Sequence, residues 1–173
     1  GWNPALASGT TDVCDITLNS YNISIPVDET YTLKAFTLPT KAKTNVTYTS
    51  SDDNIASVDS KGVIKAKVVG ECEITATTET GMSATVNVNV TAERTALPTL
   101  KSVSIEKDDA IEVGQKLKAV YSYNLDTDND ADAANIRWYA VDGNKKILIK
   151  EGVGEYFQSY EVEAKDVGYN IMV

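Results

Sequence analysis

The sequence predicts an all-β protein made of two small β-sandwiches in series. Apolar residues recur at every second position in short runs, Asn, Asp and Gly separate those runs, and no long Ala/Leu/Glu/Lys block of helical type occurs. The 173 residues could form one domain of ordinary size or two small sandwiches. A spacing of about 8–12 residues per strand and turn is typical of a sandwich.

The chain divides into four segments. Residues 1–12 mix Gly, Ser, Thr and Pro without periodicity, which indicates a tail or linker. Residues 13–92 are predicted to form the first sandwich and residues 100–173 the second. Residues 93–99 contain Pro98 and small side chains, so we expect a semi-stiff linker between the two units.

The first predicted sandwich opens with "CDITLNSYNISIPV", where the apolar alternation breaks at Asn19–Ser20 and indicates a kink or bulge. "IASVDSKGVIKA" predicts a hairpin, because Gly62 suits the positive φ of a short loop. Further strands are predicted in "TYTLKAFTLP", "NVTYTSSD", "ECEITATTE" and "SATVNVNVTA". Leu33, Val58 and Ile74 are the expected core residues of this unit.

Residues 14–91 resemble the bacterial immunoglobulin-like (Ig-like) group 2 family through "ETYTLKA" followed by "TYTSSDDNIASVDSKGVIKAKVVGECEITAT". The resemblance implies a small Ig-like sandwich that occurs as a repeat in bacterial surface proteins, adhesins and phage virion proteins. It implies no catalytic residues. Residues 100–173 are similar to Ig-like repeats of bacterial cell-surface proteins through "VGQKLKAVYSY", "IRWYAVD" and "YEVEAKDVGYNIMV".

Trp138 is the expected centre of the second core, since a tryptophan on a central strand buries a large area against the opposing sheet. An Ig-like unit normally closes with one more strand after a segment such as "DVGYNIMV". The second sandwich is therefore expected to lack its last strand. That strand belongs either to residues absent from this fragment or to another chain that adds it to a sheet edge.

The segment "NLDTDNDADAAN" places carboxylates at alternate positions, a spacing of hard oxygen donors that calcium loops use. The candidate ligands are Asp126, Asp128, Asp130 and Asp132. Ala131 and Arg137 stand where an EF-hand needs Gly and a bidentate Glu, so the match is poor. Two interpretations remain, a weak calcium site or a solvated acidic loop, and no other cofactor is expected.

Cys14 and Cys72 share strand parity with apolar neighbours, and both are expected to point inward. They could form a disulfide, which would constrain the unfolded chain by about 3–4 kcal/mol. The alternative is two small buried thiols that pack as apolar side chains.

Composition excludes several classes of function. Histidine is absent, which removes every mechanism with an imidazole base or ligand, and no Gly-x-Ser-x-Gly motif occurs, so the chain is not expected to be an enzyme. A net charge of -9 repels nucleic acid and anionic lipid. No apolar run approaches the roughly 20 residues of a membrane span, and "GWNPALASGTTD" does not resemble a signal peptide, as expected of a mature protein or an excised piece.

The sequence therefore predicts a non-catalytic extracellular module that acts as a spacer or decorates a bacterial cell surface or phage virion. Its expected partners are other domains of a larger protein or assembly. The alternative is an adhesin or carbohydrate-binding module of a larger secreted protein, with a host protein or glycan as ligand. Exposed aromatic rings would stack on sugars in that case. The candidate rings are those of Tyr121, Tyr123, Tyr139, Tyr156 and Tyr160.

Overall fold

The structure is a computed structural model that describes residues 13–39, 42, 44–107, 110–124 and 134–173. These residues form β-strands and two short 3-10 helices and contain no α-helix, which confirms the all-β prediction. The strands are β1 Asp15–Leu18, β2 Asn22–Pro26, β3 Thr30–Thr32, β4 Ala35–Leu38, β5 Val46–Ser50, β6 Ala56–Val58, β7 Val63–Ala66, β8 Gly70–Thr78, β9 Ser83–Thr91, β10 Leu100–Glu106, β11 Lys116–Tyr123, β12 Asn135–Asp142, β13 Lys145–Val153, β14 Ser159–Glu161 and β15 Asn170–Met172. The 3-10 helices are Glu155–Gln158 and Ala164–Asp166.

The first sandwich packs a four-stranded sheet, ordered β2-β9-β8-β5, against a three-stranded sheet, ordered β3-β7-β6. The predicted kink at Asn19–Ser20 is present. It lets the first strand change partners, since β1 pairs antiparallel with β4 and β2 pairs parallel with β9. Leu33 and Ile74 are buried in the core, and Val58 is half-buried against it.

The predicted hairpin forms from β6 and β7. Asp59 shapes its turn, because one carboxylate oxygen accepts hydrogen bonds from the main-chain N–H of Lys61 (2.8 Å) and of Val63 (2.9 Å). Gly62 has φ +82°, the left-handed conformation that the sequence predicts.

One predicted strand is divided in two. "TYTLKAFTLP" forms β3 and β4, which are separated at Leu33–Lys34. The cause is Asn19, whose Oδ1 accepts from the Lys34 N–H at 2.8 Å and whose own N–H donates to the Lys34 carbonyl at 3.0 Å. These bonds pair the main-chain N–H and carbonyl of Lys34 with Asn19 and not with a neighbouring strand, so the strand is interrupted at this point.

The second sandwich packs two three-stranded sheets, ordered β10-β11-β14 and β13-β12-β15. Trp138 on the central strand β12 is fully buried between them. Its indole stacks on Tyr160 with ring centroids 5.9 Å apart, and its Nε1–H donates to the Phe157 carbonyl at 2.8 Å. The buried indole thus has a partner for its single donor.

A buried carboxylate closes the corner that leads into β15. Asp166 accepts a hydrogen bond from the Tyr160 hydroxyl at 2.7 Å and another from the Glu163 N–H at 2.8 Å. Burial, followed by the Asp166 hydrogen bond and charge, raises the pKa of Tyr160 above its ordinary value. The phenol therefore keeps its proton in the folded protein at pH values where an exposed tyrosine loses it.

We expect the stability of the protein to fall more steeply with pH above about 10, because the unfolded state releases the Tyr160 proton there and the folded state retains it. Tyr160→Phe should remove this part of the pH dependence and lower the free energy of unfolding at pH 8 by about 1–3 kcal/mol. Urea unfolding at pH 8 and at pH 10.5 measures both effects. Tyr169→Phe, a change at an exposed ring in the same segment, is the control, and identical pH dependence in both variants would contradict the assignment.

Candidate functional site

The two sandwiches meet at a joint built around Asn19, a buried residue at the end of β1. Its side-chain Nδ2–H donates to the Val153 carbonyl of the second unit at 2.9 Å. Its main-chain carbonyl accepts from the Tyr156 N–H at 3.2 Å. One residue of the first sandwich therefore bonds the second through both its side chain and its main chain.

The second unit approaches most closely at Gly154, whose φ is +103°. A Cβ atom there would lie 2.7 Å from the Tyr31 hydroxyl, 2.8 Å from the Asn19 carbonyl and 2.9 Å from Ser20 Oγ. The Ser20 and Tyr31 hydroxyls are buried and 2.8 Å apart, so they have little room to give way. Glycine is needed here for its conformation and also for its size.

An aromatic cluster forms the apolar part of the joint. Phe36 of β4 stacks on Tyr156 with ring centroids 4.4 Å apart and lies 5.9 Å from the ring of Phe157. Phe36 is thus packed against the core of the second sandwich, and Val153 against the core of the first. Because each unit packs an apolar side chain against the core of the other, the two units are expected to keep a fixed arrangement.

Lys150 supports this cluster from the second unit. Its ammonium lies 4.2 Å from the Tyr156 ring centroid and donates to the carbonyls of Tyr156 (2.8 Å) and Ser159 (2.7 Å). Burial lowers the pKa of Lys150 from its ordinary value, with a smaller contribution from Lys116. Phe36 and Lys150 both contact the Tyr156 ring, although that side chain stays 44% exposed.

The linker is held to the first sandwich by an ion pair. Arg94 follows β9, and its Nε–H donates to Glu29 Oε1 at 2.6 Å while an Nη2–H donates to Oε2 at 3.2 Å. A two-point contact between a guanidinium and a carboxylate fixes direction as well as distance. The ion pair therefore fixes the direction in which the linker leaves the first sandwich.

A polar cleft of about 910 Å³ lies beside the joint. One wall is the outer face of the β2-β9-β8 sheet, where Asn22 pairs with Asn87 and Glu73 follows in the same row across the sheet. Gly154, Glu155 and Gln158 line the cleft from the second unit. Its described lining contains three glutamates and neither Lys nor Arg, which disfavours an anionic ligand.

The other predicted site residues lie away from the joint. Asp126, Asp128, Asp130 and Asp132 fall outside the described residues, so the calcium site stays a prediction. Where the structure does describe the chain, it brings no group of three or more Asp, Glu or Cys side chains into a metal-binding arrangement. In the same part of the chain no helix is long and apolar enough to cross a membrane.

The cysteines differ from the predicted arrangement. Both are free thiols, and only Cys72 is buried. Cys14 is exposed because it precedes the first residue of β1, so the inward alternation does not extend to it, and its Sγ donates to the Leu38 carbonyl at 3.4 Å. Burial raises the pKa of the Cys72 thiol, which favours its neutral form.

The candidate sugar-stacking tyrosines do not form a flat platform. Tyr160 is buried under Trp138, and Tyr121 and Tyr123 pack edge to face with centroids 5.9 Å apart and are half-buried. Tyr139 is half-buried on the outer face of β12, beside Leu148 and Met172 on the neighbouring strands. The rings therefore lie on different surfaces of the second unit.

Sequence reasoning missed the joint. Its signals were the broken alternation at Asn19–Ser20 and the segment "GVGEYF", in which two glycines and two aromatic residues span the end of a strand. Neither signal indicates which residues are in contact, because the contact joins residues more than 130 positions apart, such as Asn19 and Val153. Only the folded structure places them together.

Comparison with known proteins finds a family similar to the first unit. Residues 12–88 match the family model of the Bacterial Ig-like domain (group 2). A lacto-N-biosidase of Bifidobacterium bifidum is 39% identical over 71 residues, which are 41% of this chain and 6% of that protein. An uncharacterised protein of Clostridium acetobutylicum is 36% identical over 101 residues, 58% of this chain and 10% of that protein. The chain thus spans a small part of the length of both relatives.

Solved structures with Ig-like domains are also similar. Domains 4 and 5 of the S-layer protein SbsC share 23% identity, with 47% of this chain and 53% of that chain covered and a TM-score of 0.43. An intimin mutant of EHEC O157:H7 shares 16% identity, with 52% and 49% covered and a TM-score of 0.34.

Gly154→Ala should loosen the joint, because its Cβ would contact Tyr31, Asn19 and Ser20 in addition to straining the backbone. Gly168→Ala is the matched control, since Gly168 also has a positive φ of +89° but its Cβ would meet nothing within 4 Å. We expect amide hydrogen exchange at Tyr156 to accelerate by about tenfold or more in Gly154→Ala only. Equal protection in the two variants would show that the close approach at Gly154 is not a constraint.

Proposed function

We propose that this chain is a rigid, non-catalytic structural module of a bacterial surface protein. Its two Ig-like sandwiches hold whatever is attached to either end at a set distance and in a set direction. Burial of apolar side chains and main-chain pairing stabilise such a unit, and its outer surface is left free for display.

The observation that carries the proposal is the joint. A flexible tandem would be connected by its linker alone, whereas here Asn19 bonds the second unit through its side chain and its main-chain carbonyl. Phe36 adds a stacked ring contact of 4.4 Å to Tyr156, and Arg94 ties the linker back to Glu29. Hydrogen bonds and a stacked ring contact between the units, together with a linker tied to the first unit, oppose bending at the connection.

The matched family and the relatives support a bacterial setting. The family is a bacterial one, and both curated relatives come from bacteria. The similar segments make up 6% and 10% of these relatives, as expected for one module among several in a long chain. We therefore propose the bacterial surface over a phage particle, with other domains of the same protein as the main partners.

A second candidate is an accessory domain beside a secreted enzyme that acts on glycans. The similarity to a segment of a lacto-N-biosidase favours it. The aromatic rings disfavour direct sugar binding, since Tyr160 is buried and Tyr156 is already stacked on Phe36. In that setting too, the module would serve as a spacer.

Small-angle X-ray scattering of the full chain tests the spacer role. We expect a single arrangement to fit the wild-type curve, and Phe36→Ala to require a broad range of inter-unit angles, because it removes the ring that stacks on Tyr156. Leu38→Ala is the control, as it removes an exposed apolar side chain from the same strand away from the joint. A wild-type curve that itself requires a broad range of angles would contradict the proposal.

A further inference from the structure

The first sandwich holds its entering and leaving strands side by side. The chain enters the four-stranded sheet through β2 and leaves it through β9, and these two strands pair in parallel over five residue pairs. Main-chain bonds continue at both ends, because the Asn87 N–H donates to the Tyr21 carbonyl at 2.8 Å and the Val27 N–H donates to the Thr91 carbonyl at 3.0 Å. The ladder between the two strands therefore extends from Tyr21 to Val27.

The parallel direction decides how this ladder responds to tension along the chain. A pull on the segment before β1 draws β2 toward its amino end, and a pull on the linker draws β9 toward its carboxyl end. In a parallel pair these two pulls are opposed and lie along the strands, so the bonds of the ladder are loaded together. An antiparallel hairpin pulled from its open ends loads its bonds one after another. The parallel pair is therefore the arrangement that resists tension.

Inward side chains oppose sliding of the two strands. Ile23 of β2 lies opposite Val88 of β9, Ile25 lies opposite Val90, and all four side chains are buried. A slip of β2 along β9 by one residue would turn both isoleucines to the outer face of the sheet. Burial of apolar side chains therefore opposes sliding in addition to the hydrogen bonds.

An ion pair joins the same two strands beyond their last hydrogen bond. Glu29 follows β2 and Arg94 follows β9, and the guanidinium contacts the carboxylate at two points, 2.6 Å and 3.2 Å apart. The Arg94 side chain is only 15% exposed, so water screens this pair less than a fully exposed one. A pull on the linker reaches Arg94 before it reaches β9. The ion pair thus lies where tension from the second unit arrives.

We propose that β2, β9 and the Glu29–Arg94 pair form a mechanical clamp that carries tension between the chain segments on either side of the first sandwich. A spacer under tension keeps its length only while its sandwiches stay folded, because an unfolded chain extends by about 3.3–3.6 Å per residue. The clamp rests on the proposed spacer role for the setting in which tension arises. Its resistance follows from the strand pairing alone.

Single-molecule force spectroscopy of the full chain tests the clamp by loading the same bonds in two directions. Handles on the exposed thiol of Cys14 and on Ala96→Cys in the linker load the ladder along the strands. Handles on Thr30→Cys and Ala96→Cys, in a chain that also carries Cys14→Ser, separate the carboxyl ends of β2 and β9 and load the bonds one after another. Cys72 is buried and stays unlabelled. We expect rupture along the strands to need a force at least about twofold higher.

Two matched substitutions test the ion pair. Glu29→Ala removes the partner of Arg94 and should shorten the lifetime of the first sandwich by about fivefold or more when a constant force is applied along the strands. Glu79→Ala is the control. It removes a glutamate of the same sandwich that accepts a hydrogen bond from Asn45 at 2.7 Å, between the ends of β5 and β8 and away from the loaded pair. We expect its lifetime to equal that of the unsubstituted chain.

Equal rupture forces in the two pulling directions would overturn the proposal, as would equal lifetimes of Glu29→Ala and Glu79→Ala. A higher force along the strands, together with a shorter lifetime in Glu29→Ala alone, supports it. The comparison of directions leaves β2, β9 and the ion pair unaltered, so it stands even where a substitution disturbs folding. Rupture force and the inter-unit angles measured by scattering are separate quantities, so failure of the clamp and failure of the rigid spacer are distinguishable.

Discussion

The arrangement of this protein depends on the hydrogen bonds of one buried side chain, Asn19. A carboxamide out of contact with water must use its donors and its acceptor within the protein, because an unpaired buried polar group costs about 1–3 kcal/mol. Asn19 meets this requirement with the Lys34 N–H, the Thr32 carbonyl and the Val153 carbonyl. The same bonds divide the β3–β4 segment and fasten the second sandwich, so the local irregularity and the inter-unit contact have a common cause.

The two sandwiches differ in how completely they are closed. In the first, β9 pairs with both β2 and β8, whereas among the described residues of the second, β15 pairs with β12 alone and lies on the side opposite β13 and β14. The closed side of the second unit is also the one that faces the joint, since Tyr156 and Phe157 lie between β13 and β14. The joint with the first unit and the outer edge of β15 therefore lie on different sides of the same domain.

Much of the fold follows from local sequence. Alternation of apolar residues predicts the strands, Gly62 the hairpin, and Trp138 the centre of the second core, because burial and turn geometry act over a few residues. The division of "TYTLKAFTLP" and the exposure of Cys14 escape such reasoning, because they depend on Asn19 and on where β1 begins. The joint between the two units cannot be predicted from local sequence patterns. Val153 and Gly154 contribute a carbonyl group and the absence of a side chain, and neither leaves a pattern in the sequence.

The rigidity of the joint is the central claim, and residual dipolar couplings of the weakly aligned full chain test it most directly. Each sandwich reports its own alignment tensor from its own amides. The account predicts two tensors of the same magnitude and orientation when both units are placed as the Asn19 and Phe36 contacts require. A markedly smaller tensor for one sandwich than for the other would show that the units reorient independently and would contradict the account.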